Sequence, residues 1–345
     1  IPVDLTSGKG VHKLSRRVLI TPRTFGKTDP IPVTLLQRAD YELVFNPFER
    51  PLTQGEIIPL IRETDGIIVG LDQIDEEVLS HAPKLQVISK YGAGVNNIDL
   101  KSATERGIIV TNTPGVNSSA VAELTIGLML DVARHISDSD RKMRQGQWGK
   151  YLGFELKGRV LGIIGTGQIG KMLASKVKGF GMSIIAHDIE PDYAWAKKMG
   201  VSYVTFPELS KKADIVSLHL PLTEATYHMI GRDELAQFKP TAILINTSRE
   251  VVDEEALYTA LKENRLLGAG LDVYEDEPLK NSLLTTVDNV VLTSHIGAHT
   301  EEAVRDMGRT AVLNLMKVLN GEAPEHIVNY EVNNRAAKEM RDNAQ

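Results

Sequence analysis

Short β-branched runs alternate with helix-like segments along almost the whole chain, a pattern that predicts α/β domains with parallel sheets. In the first third, strands are predicted at 17–21, 42–46, 66–70, 85–90 and 108–111. Several are apolar on successive rather than alternate residues, as expected when helices cover both faces of a sheet. The stretch NSSAVAELTIGLMLDVARHI at 117–136 is apolar almost all round and predicts one long buried helix. Ser118 or Ser119 suits its N-cap, with Glu123 in the first turns where the helix dipole favours negative charge. It reads either as a core helix or as a linker and dimer-contact helix. A second run of strands follows at 160–164, 183–187, 214–220, 242–246, 269–274 and 290–293. After them, 301–319 is again helical, with apolar residues at Ala303, Met307, Val312, Leu315 and Leu319, and is expected to pack back onto the first domain. The stretch 330–345 is polar and expected to fray.

Composition narrows the function classes. A chain of 345 residues suggests two domains at roughly 150 residues each. Lys and Arg number 39 against 45 Asp and Glu, a net charge of −6 without any basic block, which excludes nucleic-acid binding by bulk charge. The absence of cysteine excludes thiol catalysis, disulfides and thiolate zinc sites, and it permits a reducing cytoplasm. No apolar run approaches the ~18 residues that span a bilayer. Residues 1–17 also lack the apolar core of a secretory leader. The expectation is a soluble cytoplasmic protein with no nucleic-acid or membrane partner.

A glycine-rich turn, Gly165, Gly167 and Gly170 in GTGQIG, follows the strand at 160–164 and opens a helix expected over 171–180. In that context the first glycine permits a tight turn, the second lets the backbone approach a pyrophosphate, and the third lets helix and strand pack closely. Asp188 ends the next strand, where a carboxylate can accept both hydroxyls of the adenosine ribose and would repel a 2′-phosphate. The cofactor indicated is NAD rather than NADP. About 160 residues precede the fingerprint, so a second domain stands in front of the coenzyme domain.

Reduction of a 2-keto acid needs a cation for the carboxylate, an acid for the developing alkoxide, and a group that keeps the acid charged. Three strand ends carry such groups: Thr247, Ser248 and Arg249; Glu275 and Glu277; and His295 followed by Gly297. Both glutamates precede the proline-ended loop at Pro278, and spacing leaves open which would partner the histidine. His295 and His299 are four apart, but no carboxylate cluster accompanies them, so no metal is expected.

The segments LINTSRE (244–250), GAGLDVYEDEP (268–278), TSHIGAHT (293–300), KYGAGVNNIDL (90–100), NTPGVNSSAVAE (112–123) and SLHLPLT (217–223) resemble the signatures of the D-2-hydroxyacid dehydrogenase family. The resemblance runs from about Arg17 to Asn329 with every motif in family order. With NPFERPLT at 46–53 and no C-terminal regulatory domain, the chain is most similar to short 3-phosphoglycerate-dehydrogenase-like members.

The resemblance implies two doubly wound parallel-sheet domains, a Rossmann coenzyme domain at 117–296 inserted in a flavodoxin-like substrate domain at 1–116 and 297–335, with a tail at 336–345. It implies that Arg249 binds the substrate carboxylate, that His295 is the acid in reduction and the base in oxidation, and that Glu277, by family register, orients His295 and favours its charged form. The backbone of Ala93 and Gly94 would hold the carboxylate too. Further cofactor contacts are implied at Gln168, Ile169, His219, Pro221, Thr223, Thr247, Ser248 and Gly297, with Asp272 facing the nicotinamide amide. A homodimer through the coenzyme domain, with 117–136 contributing, is also expected.

The chain departs from the family pattern at two places: Glu250 replaces the glycine that commonly follows the arginine, and Asn96 replaces a usual aspartate. Phosphoglycerate-type members carry an arginine where Lys90 stands, and a second in the preceding loop, here VGLDQ at 69–73 without a cation. Arg50 on a nearby loop is a candidate substitute. A 3-phosphoglycerate-like substrate is therefore favoured, with a glyoxylate/hydroxypyruvate or D-lactate type reductase as the alternative. An NAD-sensing corepressor is the lesser reading, because such relatives add a long tail. Formate dehydrogenases carry glutamine where Glu277 stands.

Overall fold

The computed structural model describes residues 15–332. The chain forms two compact units, one running to Pro114 and resuming at Val304, the other spanning Gly115–Ala303. The divisions drawn from the sequence lie at 116/117 and 296/297. The later seam sits inside the helix Glu301–Leu319, because the loop before it is bonded to the coenzyme sheet: Gly297 N–H donates to Asp272 at 2.8 Å.

In the first unit, β1 (Arg17–Ile20), β2 (Glu42–Phe45), β3 (Gly66–Val69), β4 (Val87–Lys90) and β5 (Ile109–Thr111) form a five-stranded sheet. Its order is β2-β1-β3-β4-β5, all parallel, the flavodoxin-like arrangement. Every residue of β3, β4 and β5 is buried, which accounts for the apolar run of β3 and the apolar starts of β4 and β5, whereas the edge strand β2 is partly exposed. The C-terminal helix lies where its apolar stripe predicts. Ala311, Val312, Leu315 and Leu319 share a core with Val18, Ile68 and Val87, and Ser89 Oγ donates to Ala311 O at 2.8 Å. Within the expected fraying stretch Val332 is buried, which corrects the polar reading there. The tail at 336–345 lies outside the described residues.

The second unit holds β6 (Val160–Ile164), β7 (Ser183–His187), β8 (Val201–Tyr203), β9 (Ile215–Leu218), β10 (Ile243–Asn246), β11 (Gly268–Leu271) and β12 (Val290–Leu292). They form one parallel sheet ordered β12-β11-β10-β9-β6-β7-β8. The order reverses between β6 and β9, the switch point at which dinucleotides bind in doubly wound sheets. The sequence predicts six strands here and misses β8, a three-residue edge strand with an exposed middle residue. The strand expected over 269–274 leaves the sheet after Leu271, where its chain turns out toward Glu277.

The segment 117–136 is not one helix buried all round. Its helix spans Ser118–Arg134, with Asn117 rather than Ser118 or Ser119 at the N-cap position and no side-chain cap bond, and is ended by His135 at φ +54°, after which a separate helix, Ile136–Arg144, buries no residue. Leu128, Met129, Val132 and Ala133 enter the core of the second unit. Leu124, Ile126 and Leu130 pack against that core only partly buried, and Glu123 is exposed and paired with Lys176 at 2.6 Å.

Candidate active site

The fingerprint turn leaves β6 and enters the helix Gln168–Lys176, whose N-cap is Gly167. Gly165 has φ +90°, and a Cβ there would lie 2.3 Å from the carbonyl oxygen of His219. A Cβ on Gly170 would lie 2.1 Å from the Gly165 oxygen, whereas one on Gly167 would meet nothing within 4 Å. Two glycines are thus demanded by packing, and the third leaves open space at a helix N-terminus. First-turn N–H groups without intrahelical partners suit a pyrophosphate there. The donor set fits NAD, with Gln168 and Ile169 in that first turn.

Asp188 follows β7 directly. Its Oδ2 accepts from Thr166 N–H at 2.6 Å and from the Thr166 hydroxyl at 2.8 Å, and its Oδ1 accepts from Glu190 N–H at 2.9 Å. Burial opposes ionisation, but the Glu190 and Thr166 amides and the Thr166 hydroxyl outweigh it and hold the carboxyl below its usual range. Thr166 and Tyr203, bonded to each other, were not singled out by sequence. The signal available was a hydroxyl at the variable position of the glycine motif.

The other expected cofactor residues divide into surface and support. Pro221 and Thr223 are exposed, on a turn pinned by Thr226 Oγ1 to the Pro221 oxygen at 2.6 Å. His219 is buried, with Nε2 2.9 Å from Ser217 Oγ and Nδ1 3.4 Å from Thr247 Oγ1. Burial pushes its imidazole down to about 3, so the ring is neutral, while the His219 backbone oxygen lies against Gly165. Ser248 donates to Leu218 O and accepts from Leu220 N–H, both at 2.9 Å, and so ties β10 to the end of β9. Asp272 is buried, and its carboxylate accepts from Thr293 Oγ1 (2.6 Å), Ile296 N–H (2.9 Å) and Gly297 N–H (2.8 Å). These bonds anchor the loop that carries His295.

On that loop, His295 Nδ1 lies 2.7 Å from Glu277 Oε2. The choice between the two glutamates is thereby decided, since Glu275 instead takes the Glu254 amide at 3.0 Å and lies 2.9 Å from His228 Nε2. Burial works to raise the Glu277 carboxyl, but the hydrogen bond and charge of His295 and the field of Arg249 override it and hold the carboxyl below its usual range. Arg249, Glu277 and His295 follow the C-terminal ends of β10, β11 and β12, three neighbouring parallel strands. His295 itself has φ +54°, and Glu250, next to Arg249, has φ +48°. Among the described residues no group of three His, Asp or Glu side chains gathers as a metal site, and no helix is long and apolar enough to cross a membrane.

In the first unit, Ala93 is half-buried and Gly94 exposed in the turn after β4, with Asn112 Nδ2 donating to Ala93 O at 2.7 Å. Lys90, the last residue of β4, is 4% exposed, and its amine donates to the Gly70 oxygen and to Asn97 Oδ1, the latter at 2.7 Å. Asn97 in turn donates to the Asp72 oxygen at 2.6 Å. Asp72 is buried, accepting from the Thr21 hydroxyl and from Leu52 N–H. Arg50 makes a two-pronged bond to Glu56 at 2.8 and 2.7 Å.

The model of the family described as D-isomer specific 2-hydroxyacid dehydrogenase, NAD binding domain, matches residues 126–297. A glyoxylate reductase of Thermococcus litoralis is 47% identical over 290 residues, which cover 81% of this chain and 88% of its own. A D-3-phosphoglycerate dehydrogenase of Methanocaldococcus jannaschii is 44% identical over 283 residues, covering 81% of this chain and 54% of its own. Among solved structures, the TT0316 protein of Thermus thermophilus aligns with a TM-score of 0.82 at 38% identity, over 90% of this chain and 99% of that one.

Proposed function

The chain belongs to the D-isomer specific 2-hydroxyacid dehydrogenase family, and from that premise we propose that it reduces a small unphosphorylated 2-keto acid, of the glyoxylate or hydroxypyruvate kind, with NADH. The commitment of Lys90 carries this choice over the phosphoglycerate-like substrate that the sequence favours. A phosphate dianion needs cations whose donors can turn to it. The Lys90 amine is buried against Gly70 O and Asn97, and Arg50 is bonded to Glu56 through both prongs. The similarity to a glyoxylate reductase over 88% of that enzyme, against 54% of the phosphoglycerate dehydrogenase, supports the same choice.

When bound, the nicotinamide cofactor would supply a hydride as NADH in reduction and would take one up as NAD+ in oxidation. His295 works at Nε2, because Nδ1 faces Glu277. It gives a proton to the C2 oxygen of the keto acid and takes one from the hydroxy acid. Glu277 fixes the ring and offsets its charge. Arg249 grips the carboxylate with its planar fork.

Steady-state rates with NADH against glyoxylate, hydroxypyruvate, pyruvate and 3-phosphohydroxypyruvate test the substrate class. The highest kcat/KM is expected with glyoxylate or hydroxypyruvate. A preference for the phosphorylated acid that Lys90→Ala abolishes would overturn the assignment. NADH is expected to be preferred over NADPH by about 2–3 kcal/mol, since a 2′-phosphate would meet the Asp188 carboxylate. Asp188→Ala should narrow that gap, and comparable efficiency with both cofactors in the unaltered protein would contradict it.

A further inference from the structure

We propose that Tyr203, acting through Thr166, is a positioning residue that presents Asp188 to the adenosine ribose of NAD. The proposal rests on the reading of Asp188 as the ribose ligand and adds residues that neither the glycine motif nor the triad includes.

Proton accounting gives the direction of the chain. An ionised carboxylate only accepts, so the single hydroxyl proton of Thr166 points to Asp188 Oδ2, 2.8 Å away. Thr166 Oγ1 also lies 2.7 Å from the Tyr203 hydroxyl. With the Thr166 proton already used, Tyr203 is the donor in that contact. The Tyr203 oxygen then accepts from Asp192 N–H at 3.1 Å. One row of donors therefore runs from the Asp192 amide through Tyr203 and Thr166 to Asp188, and each bond polarises the next.

The row is fixed at its far end. Asp192 Oδ1 caps the helix Tyr193–Met199 by accepting from Trp195 N–H at 3.0 Å. Asp192 Oδ2 accepts from Lys171 Nζ at 2.6 Å, and Lys171 belongs to the fingerprint helix. The element that cradles the phosphates and the strand that ends in Tyr203 are thus joined through Asp192 and Thr166.

The consequence is at the carboxylate. Oδ2 is engaged by two donors of Thr166, whereas Oδ1 takes the Glu190 amide and has acceptor capacity for a ribose hydroxyl. A carboxylate held in this way meets the ribose without first being ordered, so the benefit falls on binding and not on the chemical step.

The test is NADH affinity by fluorescence titration, with kcat measured alongside. Tyr203→Phe is expected to weaken NADH binding by about 2- to 10-fold, the range for one lost hydrogen bond. The kinetic loss should appear in KM for NADH and not in kcat at saturation. Thr166→Val should weaken binding further, and Thr166→Ser, which keeps the hydroxyl, should restore it. In an Asp188→Ala background, Tyr203→Phe should have no further effect. An equal effect with and without Asp188 would make Tyr203 merely structural and overturn the proposal. Unchanged NADH affinity in Tyr203→Phe, with a loss in Asp188→Ala, would overturn the proposal and leave the ribose reading standing. Unchanged affinity in Asp188→Ala would overturn both.

Discussion

Glu250 stands beside Arg249 in a left-handed conformation, φ +48°, where its Cβ crowds the backbone and the glycine common in the family would not. The loop is held there by the His228 amide, which donates to the Glu250 oxygen at 2.9 Å. Glu250→Gly is therefore expected to stabilise the protein by about 0.5–1 kcal/mol, the relief of αL strain less the entropy that glycine adds to the unfolded chain. Urea unfolding reads it, and a lowered midpoint would mean that the Glu250 side chain contributes more than its backbone costs. His295 is strained in the same way at φ +54°, a conformation that the Asp272 bonds to its loop help to maintain. His295→Ala should lower kcat by roughly 10²–10⁴ while leaving NADH affinity nearly unchanged, because it removes proton transfer alone. The Glu277 carboxyl lies below its usual range, so its pairing with His295 is present above the ordinary carboxylate range and lost as pH falls through the lowered value. Glu277→Gln keeps a side chain in reach of the ring but removes the carboxylate, so kcat should fall while NADH affinity holds, and an unchanged kcat would contradict the pairing.

At the scale of elements, the fingerprint separates packing from binding within four residues. Gly170→Ala places a Cβ 2.1 Å from the Gly165 oxygen, so a loss of about 1–3 kcal/mol of stability is expected from overpacking. Gly167→Ala meets open space on an extended backbone, so the fold should keep its thermal midpoint while NADH binding falls. The reverse pattern would show that the roles are exchanged. These roles were legible in the sequence because the strand, the three glycines and Asp188 lie within one short βαβ stretch. The buried strands were legible for a related reason: helices on both faces demand unbroken apolar runs. Edge strand β8 was not, since its middle residue faces solvent. The division of 117–136 into two helices was hidden because His135, not glycine, takes the left-handed turn. The commitment of Lys90 was hidden as well. Its partners are a backbone oxygen twenty residues away in the chain and Asn97, and no spacing rule reports such bonds.

At the scale of the whole molecule, apolar surface that asks for cover extends beyond the segment 117–136. The helix Ser118–Arg134 already buries one face against its own sheet. Beyond His135, the helix Ile136–Arg144 buries nothing, and the segment after it leaves Trp148 82% and Leu152 96% exposed. Ile136 and Met143 are exposed on the helix itself. Four exposed large apolar side chains within seventeen residues of chain are what an association surface needs, and large aromatics supply most of the energy where such surfaces meet. We propose that this arm of the coenzyme unit is covered by a second copy of the chain in a two-fold dimer, the commonest closed assembly. Light scattering at micromolar concentration is expected to give about twice the 38.0 kDa of one chain. Trp148→Asp combined with Leu152→Asp should shift the protein toward monomer by about 2–4 kcal/mol, as for truncation of a hot-spot aromatic. Both side chains are exposed, so the core of the unit should survive the change and the thermal midpoint of the dilute protein should barely move. A monomer mass for the unaltered protein, or a double variant that stays dimeric, would remove this arm as the interface.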